Sequence, residues 1–165
     1  MRTPIIFLDL DGVLNHEHHF VNYDKNQPHS WHLRYFHQPT VKILNRITDA
    51  TKARIVFSSS HRVSFDTLKE LQDGLFKAGV TGKVIGKTPK LKFENNSYSV
   101  PRGCEIKAWI EENKNILGDK VSKFKYAILD DDTDMLYWQR NSFFCTAGYH
   151  GLTDEIADRV IEHLL

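Results

Sequence analysis

Ile5-Ile6-Phe7-Leu8-Asp9-Leu10-Asp11-Gly12-Val13-Leu14-Asn15 is the stretch from which the fold can be inferred. Four apolar residues lead into Asp9, and a second acid and a glycine follow at Asp11 and Gly12. A short apolar run that ends in a glycine turn is typical of a buried strand in a parallel sheet. Ligands bind at the carboxyl ends of such strands, and two carboxylates this close repel each other unless a cation lies between them. The stretch therefore predicts either a cation site or a plain strand end followed by an Asp-Gly turn.

The composition is that of an ordinary soluble globular protein. The chain has 165 residues, of which 41% are hydrophobic and 26% charged, and this predicts one domain covering residues 1–165. A net charge of +1 gives no overall field that would favour nucleic acid or a membrane. The two cysteines, Cys104 and Cys145, are far apart, which indicates reduced thiols and a cytoplasmic location. We find no signal peptide and no apolar run of membrane-spanning length.

Strand and helix patterns alternate along the chain. Apolar runs predict strands at 4–10, 53–57, 83–86, 124–129 and 142–145. Helical spacing predicts helices at 40–50, 65–76, 102–117, 135–140 and 153–164, the first of them capped by Thr40. This alternation predicts an α/β fold: a Rossmann-like, five-stranded parallel sheet with helices on both faces.

Residues 15–39 interrupt this pattern. They are polar, aromatic and rich in histidine, and we interpret them as a short cap or lid inserted over the end of the first strand. A substrate-covering lid and a plain solvated loop both fit this segment. His16, His18 and His19 could bind a metal, but their spacing matches no standard site, so hydrogen-bonded loop histidines are an equal alternative.

Polar and charged groups follow the other predicted strands. Ser58-Ser59-Ser60-His61-Arg62 follows the second strand and suits either an anion site or a serine helix cap. Arg102 opens a helix, where the helix dipole disfavours a cation, so a role facing an anion is the better explanation. Asp130 and Asp131 begin an acidic run after the fourth strand that would repel itself without a counter-ion. All of these strand ends converge on one crevice in the predicted fold.

The combination of groups suits phosphate chemistry. Carboxylates on neighbouring strand ends make a hard-oxygen site of the kind that Mg²⁺ prefers. A carboxylate can attack phosphorus to form an aspartyl-phosphate, and a second carboxylate two residues on can move protons. A serine and an arginine would balance the remaining phosphate charge.

Several motifs resemble those of the haloacid dehalogenase (HAD) phosphohydrolase superfamily. Asp9-Leu10-Asp11-Gly12-Val13 resembles its first motif, the strand that ends in Ser58 its second, and Ile128-Leu129-Asp130-Asp131 its fourth. Ser58–Arg62, Gly86-Lys87-Thr88-Pro89, Arg102–Trp109 and Gly151-Leu152-Thr153 are similar to the HAD domains of RNA-repair proteins. Residues 127–140 also resemble the phosphatase domain of polynucleotide kinase-phosphatase.

This resemblance implies specific roles. Asp9 would be the nucleophile and Asp11 the general acid and base, while Asp9, the Asp11 backbone carbonyl, Asp130 and Asp131 would bind Mg²⁺. Ser58 would bind the phosphoryl group, with Ser59 as the alternative register. Arg102 would supply the third-motif cation, for which the alternatives are Lys90, Lys92 and Lys107. The sequence departs from the family pattern at His61, where a tryptophan is expected.

The sequence thus predicts a Mg²⁺-dependent phosphomonoesterase that works through an aspartyl-phosphate, with a nucleic-acid 3′-phosphate end, RNA or DNA, as substrate. Ser59, Arg62 and Lys90 are the predicted substrate contacts, and further candidates for backbone contact and base stacking are Lys87, Lys92, Tyr98, Trp31 and Tyr35. Three alternatives stay open. They are a small-metabolite phosphatase such as a nucleotidase, a receiver domain phosphorylated without turnover, and a non-catalytic binding module. Asp11 argues against a receiver, which needs no acid/base at that position.

Overall fold

A computed structural model of the chain describes residues 3–21, 36–92, 100–117 and 124–165. The strands are β1 (Ile5–Leu8), β2 (Arg54–Phe57), β3 (Val84–Lys87), β4 (Tyr126–Asp130) and β5 (Phe143–Cys145). The α-helices are α1 (Glu17–Val21), α2 (Gln38–Thr51), α3 (Leu68–Lys77), α4 (Arg102–Glu112), α5 (Lys114–Leu117) and α6 (Asp154–Leu164). Two 3₁₀ turns cover Ser60–Ser64 and Tyr137–Gln139.

The strands form one parallel sheet in the order β3-β2-β1-β4-β5. β1 lies at its centre, with Leu8 level with Phe57 of β2 and Leu129 of β4. The chain first builds the sheet outward from β1 to β3 and then crosses back to place β4 on the other side of β1. Ligands bind in open α/β sheets at such a reversal of strand order, beyond the carboxyl ends of the strands.

Helices cover both faces of the sheet because every residue of β1 is buried and both faces of that strand must be packed. On one face, Ile6 and Leu8 join a large core to which α2, α3 and α6 contribute. On the other face, Ile5 and Phe7 pack with Ile106 and Trp109 of α4. The predicted fold class, a Rossmann-like parallel five-stranded α/β sheet, is confirmed.

Two predicted helix details are wrong. The helix predicted from residue 40 begins at Gln38, and Thr40 is not its cap: the Thr40 hydroxyl donates to the Leu14 carbonyl and to the His37 carbonyl. The helix predicted at 135–140 is only the 3₁₀ turn Tyr137–Gln139. A side-chain to backbone network replaces helical bonding there, since Gln139 accepts from the Leu136 backbone N–H and donates to the Gly103 carbonyl.

The predicted cap or lid at 15–39 is described only at its two ends. At one end, α1 begins at Glu17, after the loop 9–16 that follows β1; at the other end, Pro39 lies in the first turn of α2. Residues 22–35 lie outside the described residues, so the lid interpretation stays a prediction, as does the single-domain boundary 1–165.

Candidate active site

Asp9 stands directly beyond β1, at the centre of the sheet. Its backbone N–H donates to the Leu129 carbonyl of β4, which holds the carboxylate between the ends of β1 and β4. The carboxylate is buried, and its Oδ1 has no hydrogen-bond partner. Burial raises the pKa of Asp9, while the nearby Arg102 charge and a hydrogen bond with Ser59 act in the opposite direction. A buried acceptor without a partner is costly, which indicates that this oxygen is reserved for a ligand.

Asp130 and Asp131 complete an acidic cluster with Asp9. One carboxylate oxygen from each of the three residues lies within 4.8 Å of the others. Burial, followed by the charge of Asp9, raises the pKa of Asp130 to about 7. Burial also raises the pKa of Asp131. The shifts thus reflect mainly the desolvation of these carboxylates and, after it, repulsion from neighbouring acids.

Gly12 makes room for this cluster. It has a positive φ of 73°, and a Cβ at this position would lie 2.1 Å from the Asp131 Cγ. A side chain at position 12 would therefore displace the Asp131 carboxylate. Gly12 is therefore needed both for the positive φ of the turn and for the close approach of Asp131, which follows β4.

These residues fit a divalent cation of the Mg²⁺ type. The donors are carboxylate oxygens, which is the chemistry that Mg²⁺ prefers, and the buried Asp9 Oδ1 and Asp130 Oδ2 both lack hydrogen-bond partners. Within the residues that the structure describes, this is the one group of acidic, histidine or cysteine side chains close enough to share a metal ion. His16 is hydrogen-bonded instead to the Tyr149 carbonyl and to His37.

Hydroxyl groups follow β2 and β3 at the same edge of the sheet as the cluster. Ser58 follows β2, its N–H donates to the Leu8 carbonyl, and its buried hydroxyl has no partner. Ser59 is committed differently, because its Oγ accepts from the His61 backbone N–H at the start of the 3₁₀ turn and contacts Asp9. Thr88 follows β3 and also carries a buried hydroxyl without a partner. Ser58 and Thr88 thus each carry a buried hydroxyl that is available for a ligand.

Arg102 supplies a cation next to the acids. Its Nε lies 3.6 Å from Asp130 Oδ2, and its Nη1 lies 3.6 Å from Glu105 Oε2. Neither distance is a hydrogen bond, so the guanidinium retains donors for an anion. Of the alternatives, Lys90 and Lys92 are exposed, and Lys107 contacts Glu111 and the Trp138 ring.

Arg62, a predicted substrate contact, is buried beneath the site. Its guanidinium is 2.5 Å from Glu105 and also donates to the carbonyls of Ser59, Thr88 and Pro89. In this position it ties the Ser59 and Thr88 segments together rather than facing solvent. Lys87 is likewise engaged, with its ammonium donating to the Arg62 and Phe65 carbonyls.

Asp11 lies at the mouth of the crevice and is half exposed. His61 Nε2 is 2.8 Å from Asp11 Oδ2, and this hydrogen bond raises the pKa of His61. His61 therefore holds the carboxylate two residues beyond Asp9 in a fixed position. Of the other predicted nucleotide contacts, Trp31, Tyr35 and Tyr98 lie outside the described residues.

Sequence reasoning assigned no role to His61, Thr88 or Glu105. His61 appeared only as a departure from a family pattern, and Thr88 only as part of a similar motif. In the sequence, Glu105 looks like an ordinary acid in a helix. In the structure it is 4% exposed and accepts hydrogen bonds from Arg62 and from the Leu91 backbone N–H. An acid on the buried face of a helix was the available clue, because such a residue needs a partner.

Comparison with protein families gives one match. The family model described as "HAD domain in Swiss Army Knife RNA repair proteins" matches residues 5–157. Comparison with curated proteins and with solved structures found no match. No helix in the described parts of the chain is both long and apolar enough to cross a membrane.

Proposed function

The chain belongs to the family of HAD domains found in Swiss Army Knife RNA-repair proteins, and from this premise we propose that it is a Mg²⁺-dependent phosphomonoesterase acting on nucleic-acid 3′-phosphate ends. The family supports a hydrolase of the phosphatase type at the level of the superfamily. The substrate, the metal and the aspartyl-phosphate mechanism are our proposals.

The observation that carries the proposal is the pair of buried, unpartnered oxygens, Asp9 Oδ1 and Asp130 Oδ2, beside the unpartnered Ser58 hydroxyl. Native proteins give almost all buried polar atoms a hydrogen-bond partner, so three buried atoms without one in a single crevice support the binding of a polar ligand there. A phosphoryl group together with a divalent cation would satisfy all three.

Asp9 and Asp11 divide the chemistry between them. The Asp9 carboxylate attacks phosphorus, and the bond to the leaving oxygen breaks while Asp11 gives that oxygen its proton. Asp11 then takes a proton from water, which attacks the Asp9 phosphate and releases inorganic phosphate. The half-exposed Asp11 suits this role because it faces the open side of the crevice, through which the leaving group would depart and water would enter.

The remaining groups balance charge. Asp9, Asp130, Asp131 and the backbone carbonyl of Asp11 would hold Mg²⁺, which neutralises the carboxylates and the phosphoryl oxygens when bound. The Ser58 hydroxyl and Arg102 donate to the phosphoryl oxygens that gain charge in the transition state. Ser59, Arg62 and Lys90 stay predicted substrate contacts, although the buried Arg62 guanidinium donates to Glu105 and to three backbone carbonyls.

The direct test is turnover of a chromogenic phosphate ester and of 3′-phosphorylated oligonucleotides, with and without Mg²⁺. Asp9→Asn removes the nucleophile at nearly constant size, and we expect activity to fall by at least about a thousandfold, within the range that loss of an essential catalytic group costs. Asp73→Asn, at a surface acid of α3 that pairs with Lys69, is the matched control and should retain wild-type activity. Full Mg²⁺-dependent turnover by Asp9→Asn would refute the mechanism.

Substrate choice separates the alternatives. Preference for free nucleotides or sugar phosphates over oligonucleotides would establish a small-metabolite phosphatase. A stable phosphate on Asp9 without turnover would establish a receiver-like phosphoacceptor.

A further inference from the structure

Tyr137 and Trp138 form an exposed aromatic pair on the 3₁₀ turn between β4 and β5. Their exposed fractions are 78% and 61%. Large aromatic side chains are usually buried, and neighbouring exposed rings commonly mark an interaction site. The two rings are outside the catalytic crevice, so the proposed chemistry does not explain them.

The turn that carries these rings is fixed to the start of α4. Gln139, which is 1% exposed, binds both the Leu136 N–H and the Gly103 carbonyl, and Asp134 accepts from the Arg102 N–H. The two segments are so close that a Cβ on Gly103 would lie 2.5 Å from the Leu136 nitrogen. The aromatic pair therefore keeps a set position relative to Arg102, the cation beside the acidic cluster.

Each ring has a cation beside it. The Arg140 guanidinium carbon lies 4.2 Å from the Tyr137 ring centroid, and the Lys107 ammonium lies 5.8 Å from the Trp138 centroid. Lys107 is also 3.8 Å from Glu111, so Glu111 offsets part of its charge. A cavity of about 390 Å³ adjoins Trp138, and Lys114 and the rings of Phe124 and Tyr126 line it.

Ring faces combined with cations are what single-stranded nucleic acid requires. Bases stack on aromatic rings, whereas phosphates pair with Lys and Arg, and neither contact depends strongly on sequence. Protein interfaces are also rich in Tyr, Trp and Arg, but lysine is depleted in them, whereas Lys107 and Lys114 lie together on this side of the molecule. The surface thus fits a nucleotide strand better than a protein partner.

We propose that the surface formed by Tyr137, Trp138, Arg140 and Lys107, here called the aromatic surface, binds the single strand that leads to the phosphorylated end. This inference rests on the proposed function and specifies its substrate as a strand rather than a mononucleotide. Five residues of α4 separate Arg102 from Lys107, or about 7.5 Å along the helix axis. At about 3.4 Å per stacked nucleotide, this equals roughly two nucleotides. The aromatic surface therefore engages the nucleotides just upstream of the terminal phosphate.

The binding test uses the full chain carrying Asp9→Asn, so that bound probe is not hydrolysed. The probe is a fluorescent, 3′-phosphorylated ten-nucleotide oligoadenylate, titrated in Mg²⁺ buffer. Adding Trp138→Ala should weaken binding by about 5- to 150-fold, since base stacking on an aromatic ring contributes about 1–3 kcal/mol. Trp138→Phe keeps a ring and should restore most of the affinity.

The matched control is Phe76→Ala. Phe76 is 72% exposed but lies on α3, which packs beside β3 at the opposite edge of the sheet. Equal probe affinity of the Trp138→Ala and Phe76→Ala proteins would overturn the inference. A wild-type dimer that Trp138→Ala converts to monomer, with probe affinity unchanged, would also overturn it and assign the surface to self-association.

A kinetic ratio gives a second readout. In the wild-type chain, kcat/KM for the oligonucleotide should exceed that for a 3′-mononucleotide, and Trp138→Ala should reduce this ratio at least about fivefold. Failure of the proposed function looks different, because the wild-type chain would then hydrolyse no phosphate ester at all. The binding titration would still report on the aromatic surface in that case.

Discussion

At the scale of single residues, the His61–Asp11 hydrogen bond gives the acid/base a fixed direction. If Asp11 protonates the leaving oxygen, His61→Ala should slow esters with poor leaving groups most. We expect about a tenfold loss of kcat for an alkyl phosphate or oligonucleotide, and less than about threefold for p-nitrophenyl phosphate, whose leaving group hardly needs a proton. Steady-state kinetics on both substrates measures the difference.

A matched control for His61 is His163→Ala. His163 is on α6, where it contacts the Tyr126 carbonyl at the amino end of β4, away from the crevice. His163→Ala should change kcat for both substrates equally or not at all. An equal loss on both substrates in the His61 variant would show that His61 supports the fold and does not orient Asp11.

The neighbouring serines should separate by function. Ser58 has an unpartnered buried hydroxyl, whereas Ser59 caps the 3₁₀ turn. Ser58→Ala should therefore weaken inhibition by the phosphate mimic vanadate about tenfold, with little change in unfolding free energy. Ser59→Ala should lower the unfolding free energy by about 1 kcal/mol, as expected for a lost cap. Inhibition assays and urea titrations on both variants measure these effects. Weaker vanadate inhibition in Ser59→Ala and lower stability in Ser58→Ala would contradict the assignment.

Sequence reasoning located the strand-end residues because the rules for parallel sheets position them independently of packing. Asp9, Ser58 and Asp130 follow apolar runs, and the topology brings the ends of those runs together. The pairing of Arg62 with Glu105 could not be predicted in this way. Their ion pair joins the turn after β2 to α4 across 43 positions of the chain, and no local pattern encodes such a contact.

At the scale of elements, this ion pair connects the turn after β2 to α4. Both side chains are about 95% buried, so Glu105→Gln leaves the Arg62 charge buried with weaker compensation. We expect a loss of about 3–5 kcal/mol in unfolding free energy by urea titration. Asp158→Asn, which breaks an exposed pair with Arg46 between α2 and α6, should cost less than about 1 kcal/mol. Equal losses of unfolding free energy in the two variants would show that the buried pair stabilises the fold no more than the exposed pair does.

Helix boundaries show the same limit of local patterns. Thr153 was predicted to open the last helix and does cap α6, because its hydroxyl accepts from the Ile156 N–H within its own turn. Thr40 satisfies the same sequence rule but donates to the Leu14 carbonyl, 26 residues away. The apolar spacing of residues 135–140 predicts a helix, but the hydrogen bond from Gln139 to the Gly103 carbonyl accompanies a 3₁₀ turn there instead. Long-range side-chain contacts decided these cases.

At the scale of the whole molecule, the acidic cluster makes metal-free stability depend on pH. The pKa of Asp130 is about 7 in the folded chain, while an unfolded aspartate titrates near 3.9. Between these values the folded chain holds a proton that the unfolded chain has released. Stability from this group is therefore complete below about pH 4 and is lost as pH rises through about 7.

We therefore expect the metal-free protein to melt at a lower temperature at pH 7.5 than at pH 5.5. Asp130→Asn, which cannot titrate and also removes a charge from beside Asp9, should flatten this slope. Mg²⁺ needs deprotonated ligands, so it should raise the melting temperature of the wild-type chain more at pH 7.5 than at pH 5.5, and barely affect Asp130→Asn. Calorimetry with EDTA or with Mg²⁺ measures all four conditions for each protein. A Mg²⁺ effect that is the same at both pH values, or that survives in Asp130→Asn, would mean that the ion binds outside this cluster.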